Sequence, residues 1–264
     1  MARNTAIERP RGSWGWAALG LVLGLLVALL AFAPAQWLAG MVHNATEGRV
    51  VLNDARGTIW NGSAQLLLTG GAGSTDALAL PTRLDWRLRP RLNGVVARLE
   101  SACCTSAPLV LRLRPRWGGV HLEMGDGQAQ LPAAVLAGLG TPWNTLQLDG
   151  DLVLATQGLS VEWVEGRLSI AGRAELRAQR LSSRLSTLRP MGSYRITISG
   201  GDTPTLQLDT LEGSLQLSGT GQWVGSRLHF SGVATAAPER QDALSNLLNI
   251  IGRRSGARSI ITLG

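Results

Sequence analysis

A chain of 264 residues with a formal charge of +7 can form one extended β domain or two small ones beside an N-terminal apolar run. Its basic residues are all arginine and are scattered among strand-like segments, which argues against a nucleic-acid-binding patch. The two cysteines are adjacent and the histidines (His43, His121, His229) lie far apart, so no metal-ligand spacing is present.

Residues 14–33 read WGWAALGLVLGLLVALLAFA, without charge, amide or proline. Twenty helical residues span about 30 Å, the thickness of a bilayer's hydrocarbon core. Arg3, Arg9 and Arg11 precede the run, and positive flanks stay on the cytoplasmic side. Trp14, Trp16 and Trp37 suit the two headgroup regions. A cleaved signal peptide would show a similar outline, with Ala31-Phe32-Ala33 as its cutting site. Pro34 just after the cut and the length of the run favour a retained anchor. The expected organisation is a cytoplasmic tail (1–13), a transmembrane signal anchor (14–33), a linker (34–48) and a periplasmic β-rich domain (49–264). Gly20, Gly24 and Ala28 recur every four residues as a candidate helix-packing face, although small residues are common in membrane helices.

Beyond the linker, Val50–Leu52 begins extended structure, and Asn61-Gly62 is a hairpin-turn signal. Gln65–Leu68 reads as the return strand and Gly70–Ser74 as a loop. The period is then two. Leu84, Trp86 and Leu88 alternate with Asp85 and Arg87; Leu109, Leu111 and Leu113 alternate with Val110, Arg112 and Arg114. Separate runs follow at Leu152–Leu154, Leu159–Trp163 and Leu168–Ile170, and others continue to Leu228–Phe230, most divided by glycines such as Gly158. Alternation puts one face on a core and one in solvent, as in antiparallel sheets. The predicted fold is mostly β: an antiparallel sheet body, whether sandwich, barrel-like or open curved sheet, with a few short helices. No fixed sequence repeat is expected. Helical signals fall at Pro132–Leu139, at Ser182–Leu188 before Pro190, and at Pro238–Ile251, where Leu244, Leu247, Leu248 and Ile251 share one face. Ile260–Leu263 reads as a last strand.

No nucleophile elbow, Walker motif, HExxH or dinucleotide fingerprint occurs, so no enzyme and no cofactor is expected. Asp149-Gly150-Asp151 reads as a solvated turn, and His121 and His229 read as structural strand residues. Arg112, Arg114 and Arg116 line one strand face, where an acidic partner, lipid headgroups or solvent would all fit. Cys103 and Cys104 allow a strained vicinal disulfide, intermolecular bridges or two thiols.

Four blocks carry a resemblance. They are Gly57-Thr58-Ile59-Trp60-Asn61-Gly62-Ser63-Ala64; Leu188-Arg189-Pro190-Met191-Gly192-Ser193-Tyr194-Arg195; the run from Leu211 to Trp223 containing Gly219 and Gly221; and Leu247 to Arg254. In their order and with the anchor, the chain resembles the type II secretion system protein N family. The resemblance implies an accessory, non-catalytic, single-pass inner-membrane protein with a periplasmic β domain. Its implied partners are the other inner-membrane platform proteins of that secretion system and the outer-membrane secretin. The alternative reading is a periplasmic lipid-binding or lipid-transfer module, with the apolar sheet face as an acyl-chain groove. Exposed strand edges suit the first reading, and the scarcity of phenylalanine to fill a core suits the second.

Overall fold

The computed structural model describes residues 14–71, 73–225 and 227–264; the basic tail predicted at 1–13 lies outside them. Helix α1 spans Trp14–Ala31, and none of its residues is buried. A short turn leads to a second helix, α2 (Ala35–Ala45), where the sequence suggested a linker. Proline at 34 lacks the N–H that would continue α1. Instead α2 folds back on the sheet, with Ala35, Leu38, Ala39 and Val42 packed on Leu52, Ala64 and Trp86.

The rest of the body is built on one open antiparallel sheet. In chain order the strands are β1 (Val50–Gly57), β2 (Asn61–Thr69), β3 (Ala77–Ala79), β4 (Leu84–Arg91), β5 (Gly94–Glu100), β6 (Leu109–Arg116), β7 (Gly119–Met124) and β8 (Gly127–Pro132). They continue as β9 (Leu148–Val164), β10 (Arg167–Ser183), β11 (Gly192–Gly201), β12 (Thr205–Gly213), β13 (Leu215–Val224), β14 (Arg227–Ala236), β15 (Arg253–Ser255) and β16 (Arg258–Leu263). The spatial order is β1-β2-β4-β5-β6-β7-β9-β10-β11-β12-β13-β14-β16-β15, with β3 also on β2 and β8 also on β9. β1 and β15 end the sheet, so among the sequence's three candidates, sandwich, barrel and open sheet, the last is the fold.

Two local readings change. Leu152–Leu154 and Leu159–Trp163 belong to one long strand, because Gly158 is a bulge and not a break. Gln157 pairs with Arg173 and Ser160 with Ala171, so Gly158-Leu159 faces the single residue Gly172. The extra residue shifts the inward side chains from even to odd numbers and keeps the leucines on one face. A second bulge at Arg180-Leu181 on β10 brings Ala178 and Leu181 into the same core. Ser182–Leu188 is not helical: Ser183 and Ser186 accept hydrogen bonds from the N–H groups of Leu185 and Leu188 and form turns instead.

One apolar face runs along the sheet, and helices cover part of it. The 3-10 helix Ala133–Leu139, α3 (Trp143–Leu146) and α4 (Gln241–Ile251) seal a core containing Leu152, Ala178, Leu181, Tyr194, Leu215 and Ala234. Leu244, Leu247 and Leu248 of α4 are buried there, as their spacing predicted. Where no helix lies on the sheet, Leu113, Val120 and Trp163 remain exposed.

The hairpins β4–β5 and β6–β7 also hold a repeat that the strand pattern had hidden. Residues 87–94 read RLRPRLNG and residues 112–119 read RLRPRWGG.

Candidate functional site

The Gly57–Ala64 block builds the joint between α1 and the sheet. Thr58–Trp60 is the β1–β2 turn, and Gly57 pairs with Gly62 across its neck. The predicted turn at Asn61-Gly62 therefore lies three residues earlier, and Asn61 and Gly62 open β2. Gly57 has φ +86, which lets the chain enter the turn without a Cβ clash. The Asn61 N–H donates to Thr58 Oγ1 (3.1 Å), which fixes the loop. From this turn the Ile59 N–H donates to the Ala33 carbonyl (2.9 Å), and Trp60 Nε1–H donates to the Leu30 carbonyl (2.7 Å). Pro34 forms a β-bridge with Thr58. The last carbonyls of a helix lack helical donors, and the turn supplies one to Leu30 at the end of α1 and another to Ala33 just beyond it. Trp86 lies beneath, 2% exposed, and its Nε1–H donates to the Ile59 carbonyl (3.1 Å). Arg83 ties β1 to this region through Asp54 (2.9 Å), and the Arg56 and Arg83 guanidiniums hold the Asp54 carboxyl below its ordinary range.

The second block, around Pro190, ties four strands together. Ser193 Oγ accepts from the Arg180 N–H (3.1 Å) and donates to Glu212 Oε1 (2.9 Å). Tyr194 Oη donates to the Leu215 carbonyl (3.1 Å), and burial pushes its phenol pKa up. Gly192 packs against Glu212 and Tyr194. In the third block, Gly219 and Gly221 form the floor under the Phe230 ring, and Trp223 pairs with Leu228. These blocks therefore serve the architecture: the first joins helix to sheet, and the second and third hold the sheet together. They do not converge on a single cavity.

The remaining sequence candidates disperse. Cys103 and Cys104 are joined as a vicinal disulfide in the β5–β6 loop. Cys104 is buried beside Leu80 and Val135, and the Cys103 N–H donates to Thr82 Oγ1 (3.1 Å). Gly20, Gly24 and Ala28 form an uncovered stripe on α1. Asp149-Gly150-Asp151 lies inside β9 at the Arg180 bulge, where Asp151 pairs with Arg180; the predicted turn is absent because the strand runs through it. His121 sits between Glu123 (3.4 Å) and Glu162 (3.9 Å), and His229 lies in β14. Among the described residues, no three His, Cys, Asp or Glu groups assemble as a metal site.

The outer face of β4–β7 is rich in arginine. Arg87 of β4 lies directly opposite Arg98 of β5, beside a shallow depression of about 830 Å3 that also includes Asp85 and Glu100. Arg114 pairs with Glu123 (2.9 Å) and Arg116 with Glu162 (3.6 Å), so part of the predicted arginine face is neutralised. Arg87, Arg89, Arg91 and Arg98 have no carboxylate within ion-pair distance among the described residues.

No curated protein and no solved structure is significantly similar to this chain. A family model described as type II secretion system (T2SS), protein N, matches residues 48–261, which is nearly the entire sheet. That family is one of secretion-system components and is not known as an enzyme family. Because that match covers most of the chain, the chain belongs to the type II secretion system protein N family.

Proposed function

We propose that this protein is an accessory, non-catalytic component of type II secretion, anchored in the inner membrane by Trp14–Ala31 with residues 1–13 cytoplasmic. The sheet then stands on the periplasmic side and contacts other inner-membrane platform proteins and the outer-membrane secretin. One observation carries this reading. The β1–β2 turn is hydrogen-bonded to Leu30 and Ala33, so the sheet is held at the end of an apolar, unburied helix and not on a loose tether. The open sheet also offers docking edges: β15 covers only Arg258–Ile260, which leaves Ile261–Leu263 of β16 unpaired on that side. Such an edge accepts an added strand.

Carbonate extraction and protease digestion of native membranes test the anchor. The full chain should stay in the membrane fraction, with its body digested only from the periplasmic side. Release by carbonate would refute the anchor. A photo-cross-linker at Thr262 tests the contacts. Recovery of secretion-platform or secretin peptides supports the reading, and cross-links to none of them would sink it.

A second reading rests on the uncovered apolar stretch at Leu113, Val120 and Trp163. There a lipid acyl chain would find a groove. Phospholipid retained stoichiometrically by the purified full chain after detergent exchange would favour it.

A further inference from the structure

We infer that the β4–β5 and β6–β7 hairpin tips are a membrane-docking edge: Leu92 and Trp117 enter the headgroup region of an anionic bilayer, and their flanking arginines bind the phosphates. The inference rests on the reading that α1 spans that bilayer.

The first observation is the repeat. Two neighbouring hairpins end in Arg-Leu-Arg-Pro-Arg followed by an apolar residue, at Arg87–Leu92 and at Arg112–Trp117. Period two splits each ribbon by chemistry. Leu88 and Pro90 fall on one face of β4 and Arg87, Arg89 and Arg91 on the other, and Leu92 follows in the turn. Leu113 and Pro115 divide from Arg112, Arg114 and Arg116 in the same way, and Trp117 follows in the turn. Proline near each tip fixes φ at about −65° and stiffens the end of the strand.

The second observation is exposure. Leu92 is fully exposed and Trp117 is 97% exposed, more than any other large apolar residue described in the β body. Single exposed apolar residues are ordinary on protein surfaces. Two on adjacent tips, each inside the same arginine-proline sequence, form a pattern.

The third is placement. Strand register keeps the tips level. Val95 pairs with Leu113, Arg91 with Gly94 and Arg116 with Gly119. The tips lie two strands apart, about 10 Å. They are also on the sheet edge to which α1 is attached. Asn61 pairs with Arg87, and the Leu88 N–H donates to the carbonyl of Trp60, whose indole holds Leu30. Beyond that point β4 continues through Arg89–Arg91, about 10 Å of extended chain.

The charge fits a phosphate surface. Arg89 and Arg91 carry no ion pair among the described residues, while Arg114 and Arg116 share theirs with Glu123 and Glu162. Arginine stems lie along apolar surface and lift their heads to the interface, and tryptophan prefers the same layer. The next tip along the sheet, between β9 and β10, carries the acid Glu165, whose N–H donates to the Gly118 carbonyl beside Trp117 (3.2 Å), and Asp202 lies on the tip between β11 and β12. The docking edge is therefore limited to the two tips beside the anchor.

The test uses the full chain in proteoliposomes, with an environment-sensitive fluorophore at one introduced cysteine: Leu92→Cys, Trp117→Cys, Thr203→Cys or Leu23→Cys. Lipid-borne quenchers report which sites contact the bilayer. In vesicles containing phosphatidylglycerol, labels at 23, 92 and 117 should be quenched and the label at 203 should not. In phosphatidylcholine alone, only position 23 should be quenched. Arg89→Gln and Arg91→Gln should each lower the docking equilibrium read at position 92 about fivefold. Quenching at 23 with none at 92 and 117 would overturn the docking edge and leave the anchor standing. No quenching at 23 would overturn both. Equal quenching at 92 and 117 in both lipids, unchanged by the arginine substitutions, would overturn the anionic-phosphate assignment.

Discussion

Gly62→Ala tests whether the helix–sheet joint is as tightly built as its geometry indicates. A Cβ at position 62 would meet the Arg56 carbonyl oxygen at 2.6 Å, Trp86 Cζ2 at 2.6 Å and the Thr58 carbonyl oxygen at 2.9 Å. Two of these atoms are backbone, and the third belongs to an indole that is 2% exposed. None can move without disturbing the turn that holds Leu30 and Ala33. Overpacking of this kind costs about 1–3 kcal/mol. For a body of this size each kcal/mol lowers Tm by about 2–4 °C, so the expected loss is about 2–12 °C. Gly40→Ala is the matched control. It lies on the exposed face of α2 with nothing within 4 Å of its Cβ, and alanine in a helix gains about 0.5–1 kcal/mol over glycine. The same methyl should therefore raise Tm by about 1–4 °C at position 40. Thermal unfolding followed by far-UV circular dichroism in one detergent measures both. A Gly62→Ala protein as stable as the parent, or two shifts of the same sign, would refute the reasoning.

Leu248→Ala should destabilise the body by about 2–5 kcal/mol in denaturant titration, because a fully buried side chain under α4 leaves a cavity. Tyr194 is the only tyrosine, so absorbance at the tyrosinate band reports it alone. Its folded pKa is raised by burial, so its contribution to stability is complete below the unfolded value of 10.0 and is lost as pH rises beyond it. The folded protein should show no tyrosinate at pH 10.0, whereas the unfolded chain is half ionised there. The Asp54 pKa is lowered first by the Arg56 hydrogen bond and then by Arg83, so its contribution is present above 3.8 and lost as pH falls through the lower folded value. The stability difference between the parent and Asp54→Asn should therefore shrink on acidification below 3.8, as followed by chemical denaturation at a series of pH values. Iodoacetamide should add no mass to the native protein and two adducts after reduction, because Cys103 and Cys104 are bonded to each other.

Much of the sheet was legible because alternation is a local property. Leu84-Trp86-Leu88 and Leu109-Leu111-Leu113 face one side wherever their strands are placed. Leu244, Leu247 and Leu248 likewise named the buried face of α4 before any partner was known. Local signals failed where two competing local structures had similar energies. Gly158 reads as a turn until Gly172 stands opposite it, and then one extra residue becomes a bulge in a continuous strand. Asn61-Gly62 is a good turn, but the hydrogen bonds of Thr58–Trp60 with Leu30, Ala33 and Asn61 moved the turn three residues upstream. Ser183 and Ser186 offered the backbone side-chain oxygens that replace helical bonds, and Ser183 also donates to the Leu146 carbonyl.

From sequence alone come the apolar N-terminal helix, the strand faces and the blocks that carry the family resemblance. Each depends on residues close in the chain, so periodicity or identity suffices to read it. Only the tertiary structure decided that the sheet stays open, that helices cover part of its apolar face, and that Trp60 reaches back to Leu30. It also decided that the tips at Leu92 and Trp117 lie level on the edge where α1 is attached. These features depend on pairing between residues far apart in the chain. An alternating strand has the same pattern in a sandwich, a barrel or an open sheet, and register and edge pairing select among them.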